Sequence, residues 1–308
     1  MTIRRWLSDY AIFVALALEI LVLSLVTDSF FTASNLSNVL RQNAFPAIIA
    51  AGMTFVILTG GIDLSVGSVV ALSGVLCADA IVQGWGIPAG VALGIAVGVL
   101  AGAVNGTIVT RIGVPPFVVT LAMMLMVRGA AFKYTDARTI SGLPPAFSAL
   151  SQGAVMTGIL VAVYAAAWVL LMRTPFGRHV YATGGNREAA WLSGVRVLRV
   201  LTSVYVLSGF AAGIAGVLVA SRLSSGYPRA GELYELDAIA AVVVGGSSLY
   251  GGRGWIWGTL AGAFFIGVLN NGLNLYNVGA YEQMIVKGAV FLAAASLDRW
   301  RSDSSVVR

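Results

Sequence analysis

Long apolar segments with very few charges follow one another along almost the whole chain. Ten of them approach or exceed the length at which a helix crosses about 30 Å of hydrocarbon. They cover residues 11–26, 44–59, 64–81, 88–110, 117–133, 153–172, 201–221, 236–250, 255–273 and 281–297. Only 10% of the residues are charged, against about 25% in a soluble domain. The sequence therefore predicts an all-α polytopic membrane protein, a single domain over residues 1–308 with about ten transmembrane helices.

The arginines indicate which side of the membrane each loop faces. Cytoplasmic loops carry an excess of Lys and Arg, and the polar loop at residues 173–199 holds five arginines. Placing this loop in the cytoplasm also places Arg4, Arg5 and the basic tail there, so both termini are predicted to be cytoplasmic. The tail arginines are Arg299, Arg301 and Arg308. This pattern explains the net charge of +6 without nucleic-acid binding, for which no basic stripe or motif is present.

A short helix is predicted inside the polar loop, at residues 186–194 (NREAAWLSG). Asn186 can cap the helix, Glu188 falls in its first turn and Gly194 can end it. A helix of this kind on the cytoplasmic face offers a contact surface to a soluble partner.

Four segments of the chain carry a resemblance to a known family. Glu188-Ala189-Ala190 followed by Gly194 resembles the EAA loop of ABC-transporter permeases. The segments 60–68 (GGIDLSVGS), 114–129 (VPPFVVTLAMMLMVRG) and 235–254 (ELDAIAAVVVGGSSLYGGRG) make the resemblance more specific. Together they are similar to the permease subunit of bacterial ABC importers for ribose, xylose and related simple sugars, over about residues 44–298. The sequence departs from that pattern at Trp191, where a basic residue is common.

The resemblance implies a function and a set of partners. The chain would be the transmembrane subunit of an ATP-driven importer in the bacterial inner membrane, forming the pathway for a monosaccharide, a ribose-like pentose or a hexose. A periplasmic binding protein would deliver the sugar, and a second permease copy or paralogue would complete the pathway within the lipid. A partner ATPase would hold ATP and Mg, so this chain would be no enzyme and would bind no cofactor or metal. The residues expected to couple it to the ATPase are Gly184, Gly185, Asn186, Arg187, Glu188, Ala189, Ala190 and Gly194.

The residues themselves agree that any ATP chemistry lies elsewhere. The two lysines, Lys133 and Lys287, do not stand in the GxxxxGK[ST] pattern that cradles phosphates. An alternative is an autonomous secondary transporter or channel for small polar solutes, which needs an ion site for which the chain offers few candidates. A membrane enzyme would need converging acid, base or nucleophile groups. Neither alternative explains the helix in the polar loop.

The two halves of the chain show a weak internal similarity. Residues 98–105 (GVLAGAVN) match 267–274 (GVLNNGLN), and 126–129 (MVRG) match 285–288 (IVKG). Under the topology above, the matched segments cross the membrane in opposite directions. We therefore expect an inverted repeat relating spans two to five with spans seven to ten.

Polar residues within apolar segments are the candidates for the substrate pathway. They are Asp63, Ser65, Ser68, Asn105, Phe117, Thr120, Ser247, Asn270, Asn271 and Asn274. Amides and hydroxyls can bind a sugar without charge, and an aromatic ring can stack on it. The alternative for the amides is interhelical hydrogen bonding, and for Asp63, Glu235 and Asp237 it is helix capping. Lys287, in the last segment, could pair with Glu282 or extend to the membrane surface.

Overall fold

The computed structural model describes the backbone of residues 3–306 and the side chains of residues 10–296. In this part of the chain every regular element is a helix, apart from one isolated bridge between Ile140 and Gly226. The predicted all-α class is confirmed. The side chains of Arg4, Arg5, Arg299, Arg301 and Arg308, on which the predicted orientation partly depends, lie outside the described residues.

The described helices are α1 (Ile3–Val26), α2 (Ala33–Leu58), α3 (Val66–Val82), α4 (Ile87–Thr107, continued by a π-helical turn at Ile108–Ile112), α5 (Pro116–Thr135), α6 (Pro145–Ser148), α7 (Gly153–Arg173), α8 (Pro175–Gly185), α9 (Arg187–Leu192), α10 (Val197–Leu223), α11 (Tyr234–Val244), α12 (Ile256–Leu275) and α13 (Ala280–Val306). Within the described residues, six helices are long and apolar enough to cross a membrane: α2, α4, α5, α7, α10 and α12. The other four predicted spans fall on α1, α3, α11 and α13.

The second predicted span was placed wrongly at its start. The sequence predicts a span that starts at residue 44, whereas α2 begins at Ala33 and has 26 residues. The Thr32 side chain accepts the Asn35 N–H at the start of this helix. Asn35 also exchanges two side-chain hydrogen bonds with Asn271 of α12, at 2.8 and 2.9 Å. The polar residues before position 44 are not typical of a membrane span. In α2 the polar side chain of Asn35 is accommodated because it bonds to Asn271 of α12.

Two helices begin inside the protein instead of at its surface. After Leu58 the chain runs without helix until Val66, and Asp63 in this stretch is bonded to Ser208, near the middle of the 27-residue α10. The start of α3 therefore lies about halfway through the helical layer. Gly231, just before α11, packs against the carbonyl of Gly67 in the first turn of α3. Both α3 and α11 thus begin at mid-depth, and their amino ends are neighbours.

The most extensive helix contact joins α4 to α10 through glycines. Gly90, Gly94, Gly98, Gly102 and Gly106 recur at every fourth position of α4. A Cβ on Gly98 would lie 2.2 Å from the carbonyl oxygen of Gly209, and one on Gly102 would lie 2.2 Å from that of Tyr205. Such small residues let two backbones touch in a membrane, where dispersion contacts replace the hydrophobic effect as the driving force.

Candidate functional site

The predicted helix in the polar loop is present as α9. The Asn186 side chain accepts the N–H of Ala189 at 2.9 Å, Glu188 lies in the first turn, and Gly194 follows with a φ of +84°. The predicted capping and the predicted stop are therefore confirmed. The rest of the loop differs, because residues 175–185 form a further helix, α8, with Pro175 in its first turn and the Thr174 side chain accepting an N–H. The glycine pair 184–185 forms the end of α8.

One face of α9 packs on the protein and the other is exposed. Ala190 is buried against Val197 and Leu201 of α10. Trp191 and Leu192 are 66% and 71% exposed, and Glu188 is exposed beside them. An exposed apolar pair at the end of a short helix is typical of a surface that another protein covers.

The helix α8 is seated against two other parts of the chain. These are the end of α2 and residues 245–254, which we call the glycine loop. A Cβ on Gly184 would lie 1.8 Å from the carbonyl oxygen of Leu58, so only glycine allows this approach. The Gly252 N–H donates to the same Leu58 oxygen at 2.9 Å, and the Tyr181 hydroxyl donates to the Gly254 carbonyl at 2.8 Å. Burial raises the pKa of Tyr181 to about 12, so this hydroxyl keeps its proton at neutral pH.

A buried polar cluster surrounds the break between α2 and α3. Asp63 accepts the N–H and the hydroxyl of Ser65 at 3.0 and 2.6 Å, and it accepts the Ser208 hydroxyl at 2.8 Å. The Asn105 amide of α4 donates to the Ser65 oxygen at 2.9 Å. The Tyr205 hydroxyl lies close to Gly61 and has no hydrogen-bond partner among the described residues. The cluster ties the break in α2–α3 to α4 and α10.

The ten pathway candidates do not meet in one cavity. Asp63, Ser65 and Asn105 share the buried cluster, and Thr120 reaches the neighbouring Ile62 carbonyl at 3.3 Å. The remaining candidates lie apart. Among the described residues, the buried hydroxyls of Ser68 and Ser247 and the amide oxygen of Asn270 have no hydrogen-bond partner. Phe117 is 54% exposed, Asn271 bonds to Asn35, and Asn274 accepts from Gln283 at 2.8 Å. For Asn271 the structure thus shows the interhelical hydrogen bond that was the alternative.

Sequence reasoning missed residues that complete these contacts. Ser208 and Tyr205 stand three positions apart in α10, so they share a face, and both reach the break between α2 and α3. Polar residues at helical spacing within a long apolar segment were the available signal. Tyr181 gave no such signal, because its partner is a backbone carbonyl 73 residues away.

Substitution of Asp63 separates a structural role from a role of its charge. Asp63→Asn keeps the shape and can still bond to Ser65 and Ser208, so we expect a thermal midpoint close to that of the parent. Asp63→Leu leaves the two serines unpaired and should cost about 2 kcal/mol of unfolding free energy. Differential scanning fluorimetry of the purified protein measures both. Equal loss of stability in the two variants would contradict the hydrogen-bond account.

The chain matches a family model over residues 35–295, described as branched-chain amino acid transport system / permease component. It is 49% identical over 298 residues to the ribose import permease protein RbsC of Bacillus subtilis (strain 168), covering 94% of this chain and 92% of the relative. The ribose import permease protein RbsC of Escherichia coli (strain K12) is 44% identical, with 96% and 95% covered. The fructose import permease protein FrcC of Rhizobium meliloti is 38% identical, with 93% and 85% covered. No solved structure matches the chain.

Proposed function

Because this chain belongs to the transport-system permease family that the model describes, we propose that it is the translocation subunit of an ATP-driven importer for a ribose-like sugar. It is a multi-pass membrane protein whose relatives are permeases, not enzymes. Two relatives at 44% and 49% identity are named ribose import permeases, which favours a pentose over fructose or another hexose as the cargo. The ATPase, the binding protein and a second permease chain are separate partners in this proposal.

The observation that carries the proposal is the exposed face of α9. Glu188, Trp191 and Leu192 lie on the exposed face of α9, and Ala190 on its opposite face packs against α10. The packing of α8 then connects this surface to the end of α2 and to the glycine loop. The glycine loop follows α11 directly. A displacement of α9 is therefore transmitted through α8 and the glycine loop to α11, which begins at mid-depth. ATP-driven movement of the partner can therefore reach the transport pathway through packed backbone.

The proposed topology has ten spans, with both termini and α9 in the cytoplasm. Helices α2 to α5 and α10 to α13 form the two halves of an inverted repeat. In support, α2 and α10 are each followed by a non-helical stretch and then by a helix that begins at mid-depth, α3 and α11. α3 leads away from the side of the membrane on which α9 lies, whereas α11 leads towards the glycine loop and α8. That opposite course is what an inverted repeat requires.

Charge reversal on α9 tests the docking role. We expect Glu188→Arg to remove a co-purifying ATPase subunit when the importer is expressed with its partners and isolated in mild detergent. The matched control is Glu282→Arg, since Glu282 is also exposed and lies in the first turn of α13, away from α9. The control should retain the subunit at the parent's stoichiometry. Retention of the subunit by both variants would contradict docking through α9.

The cargo is tested with the complete importer in proteoliposomes that contain ATP. We expect uptake of radiolabelled ribose that depends on the binding protein and on ATP. Uptake of ribose driven by a proton or sodium gradient in the absence of the ATPase would instead favour the autonomous transporter.

A further inference from the structure

An ion pair lies inside the helical layer, between α11 and α13. The Nζ atom of Lys287 is 3.1 Å from an Asp237 carboxylate oxygen. Neither expectation for Lys287, a pair with Glu282 or an extension to the membrane surface, was right. The sequence could not show the pair because its partners are 50 positions apart.

A second set of charges holds the stretch of chain before α11. Arg128 of α5 donates to the carbonyl oxygens of Pro228 and Ala230, at 3.0 and 2.8 Å. The carboxylates of Glu232 and Glu235 are close enough to interact with the same guanidinium electrostatically. The carboxylates of Glu232, Glu235 and Asp237 and the cations of Arg128 and Lys287 therefore lie around the start of α11, and Arg222 and Arg229 are close by.

These charges lie deep in the membrane layer. The Glu235 carboxylate rests on Gly67, because a Cβ added there would fall next to one of its oxygens. Gly67 belongs to the first turn of α3, which starts level with Ser208 in the middle of α10. Lys287 lies seven positions into α13, about 10 Å along that helix. Glu235 and Lys287 therefore both lie within the helical layer.

The charges are also partly exposed. The side chains of Lys287 and Asp237 are 31% and 18% exposed, and Glu232 is exposed. A charged side chain that faces lipid at the centre of a bilayer costs about 3 kcal/mol on insertion scales, so such groups face a water-filled cavity or another protein group. Lipid is therefore a poor neighbour for these charged side chains.

The geometry points to a water-filled sugar route lined by Arg128, Glu232, Glu235, Asp237 and Lys287. This assignment rests on the proposed function and adds the pathway residues to it. Carboxylates accept strong, charge-assisted hydrogen bonds from hydroxyl groups, and cations donate them to hydroxyl oxygens. The lining therefore suits a neutral polyol. Asn271, in contrast, is held by Asn35 and is not available for this role.

Cysteine labelling tests the route in the complete importer in intact cells. The chain has one cysteine, Cys77, which is buried, so Cys77→Ala provides the background. Single cysteines are introduced at Leu236, beside Asp237, and at Met284, one turn before Lys287; their parent side chains are 50% and 51% exposed. The control is Leu100→Cys on α4, where the parent side chain is 64% exposed. A charged, membrane-impermeant methanethiosulfonate reagent should label the first two about tenfold faster than the control, because the reactive thiolate needs water.

Thiol labelling and uptake of radiolabelled ribose are measured in the same cells, so that this inference and the proposed function can fail separately. Equal labelling at all three positions, or none at Leu236→Cys and Met284→Cys, overturns the route even if ribose uptake is normal. Fast labelling at those two positions without uptake of radiolabelled ribose supports the route and overturns the assignment of the sugar. Fast labelling that ribose slows, in cells that import ribose, supports both.

Discussion

Gly184→Ala is expected to uncouple the importer. The new methyl group would sit 1.8 Å from the carbonyl oxygen of Leu58 and 2.6 Å from the backbone nitrogen of Gly252. Both contacts are with backbone, which cannot turn aside as a flexible side chain can. Overpacking at a tight contact costs about 1–3 kcal/mol, occasionally more, and we expect the upper end here. Either α8 moves away from α2 and the glycine loop, or the protein loses stability.

The measurement for Gly184→Ala is ATP-dependent sugar uptake in proteoliposomes, alongside the amount of ATPase bound. We expect uptake to fall by about tenfold or more, since a displacement of about 1 Å can cost that much in a coupled process. Binding of the ATPase should persist, because the exposed face of α9 is unchanged. The control is Gly158→Ala inside α7, where a Cβ also meets nothing within 4 Å. If the control loses uptake as severely, the close packing of Gly184 against Leu58 is not the cause of the lost uptake.

The second large effect is expected where α4 touches α10. In Gly98→Ala the Cβ would lie 2.2 Å from the Gly209 carbonyl oxygen and 2.8 Å from the Cα of Gly213. The two helices would have to separate along their whole contact, so we expect a loss of about 3 kcal/mol. For a chain of 308 residues that corresponds to a drop of about 5 °C in the midpoint of thermal unfolding. Scanning fluorimetry in detergent measures the midpoint.

The control for Gly98 predicts a change of the opposite sign. Gly129 lies inside α5, and a Cβ there meets nothing within 4 Å. Gly129→Ala should therefore stabilise the protein by about 0.4–1 kcal/mol, because alanine loses less chain entropy than glycine in a helix. A fall in the midpoint for Gly129→Ala equal to that for Gly98→Ala would contradict the account by close packing.

Short-range features could be predicted well from the sequence. The cap at Asn186, the acidic first turn at Glu188 and the stop at Gly194 depend on residues within eight positions of one another. Nine of the ten apolar segments lie almost wholly within helices, since helix formation in lipid follows from the need to satisfy backbone hydrogen bonds within the segment. The segment predicted at residues 236–250 was placed wrongly at its end, because α11 stops at Val244 and the glycine loop follows. The family resemblance carried by GGIDLSVGS and GGSSLYGGRG also holds, and the family model covers both segments.

Long-range partners could not be predicted, and they decided most of the candidate site. Nothing local distinguishes Asn271, which bonds to α2, from Asn270, whose amide oxygen has no partner in the described part of the chain. Likewise, the pairing of Lys287 with Asp237 and of Asp63 with Ser208 depends on which helices lie side by side.

The sequence by itself determined the membrane class, most of the long helices, the family and the short helix α9, because each follows from residue type and short-range spacing. Only the tertiary structure decided that α3 and α11 begin as neighbours at mid-depth and that α8 is seated on α2 through Gly184. It also placed the partly exposed charges at the start of α11. The physical reason is that these features depend on contacts between residues far apart in the chain, and such contacts form only when the helices pack.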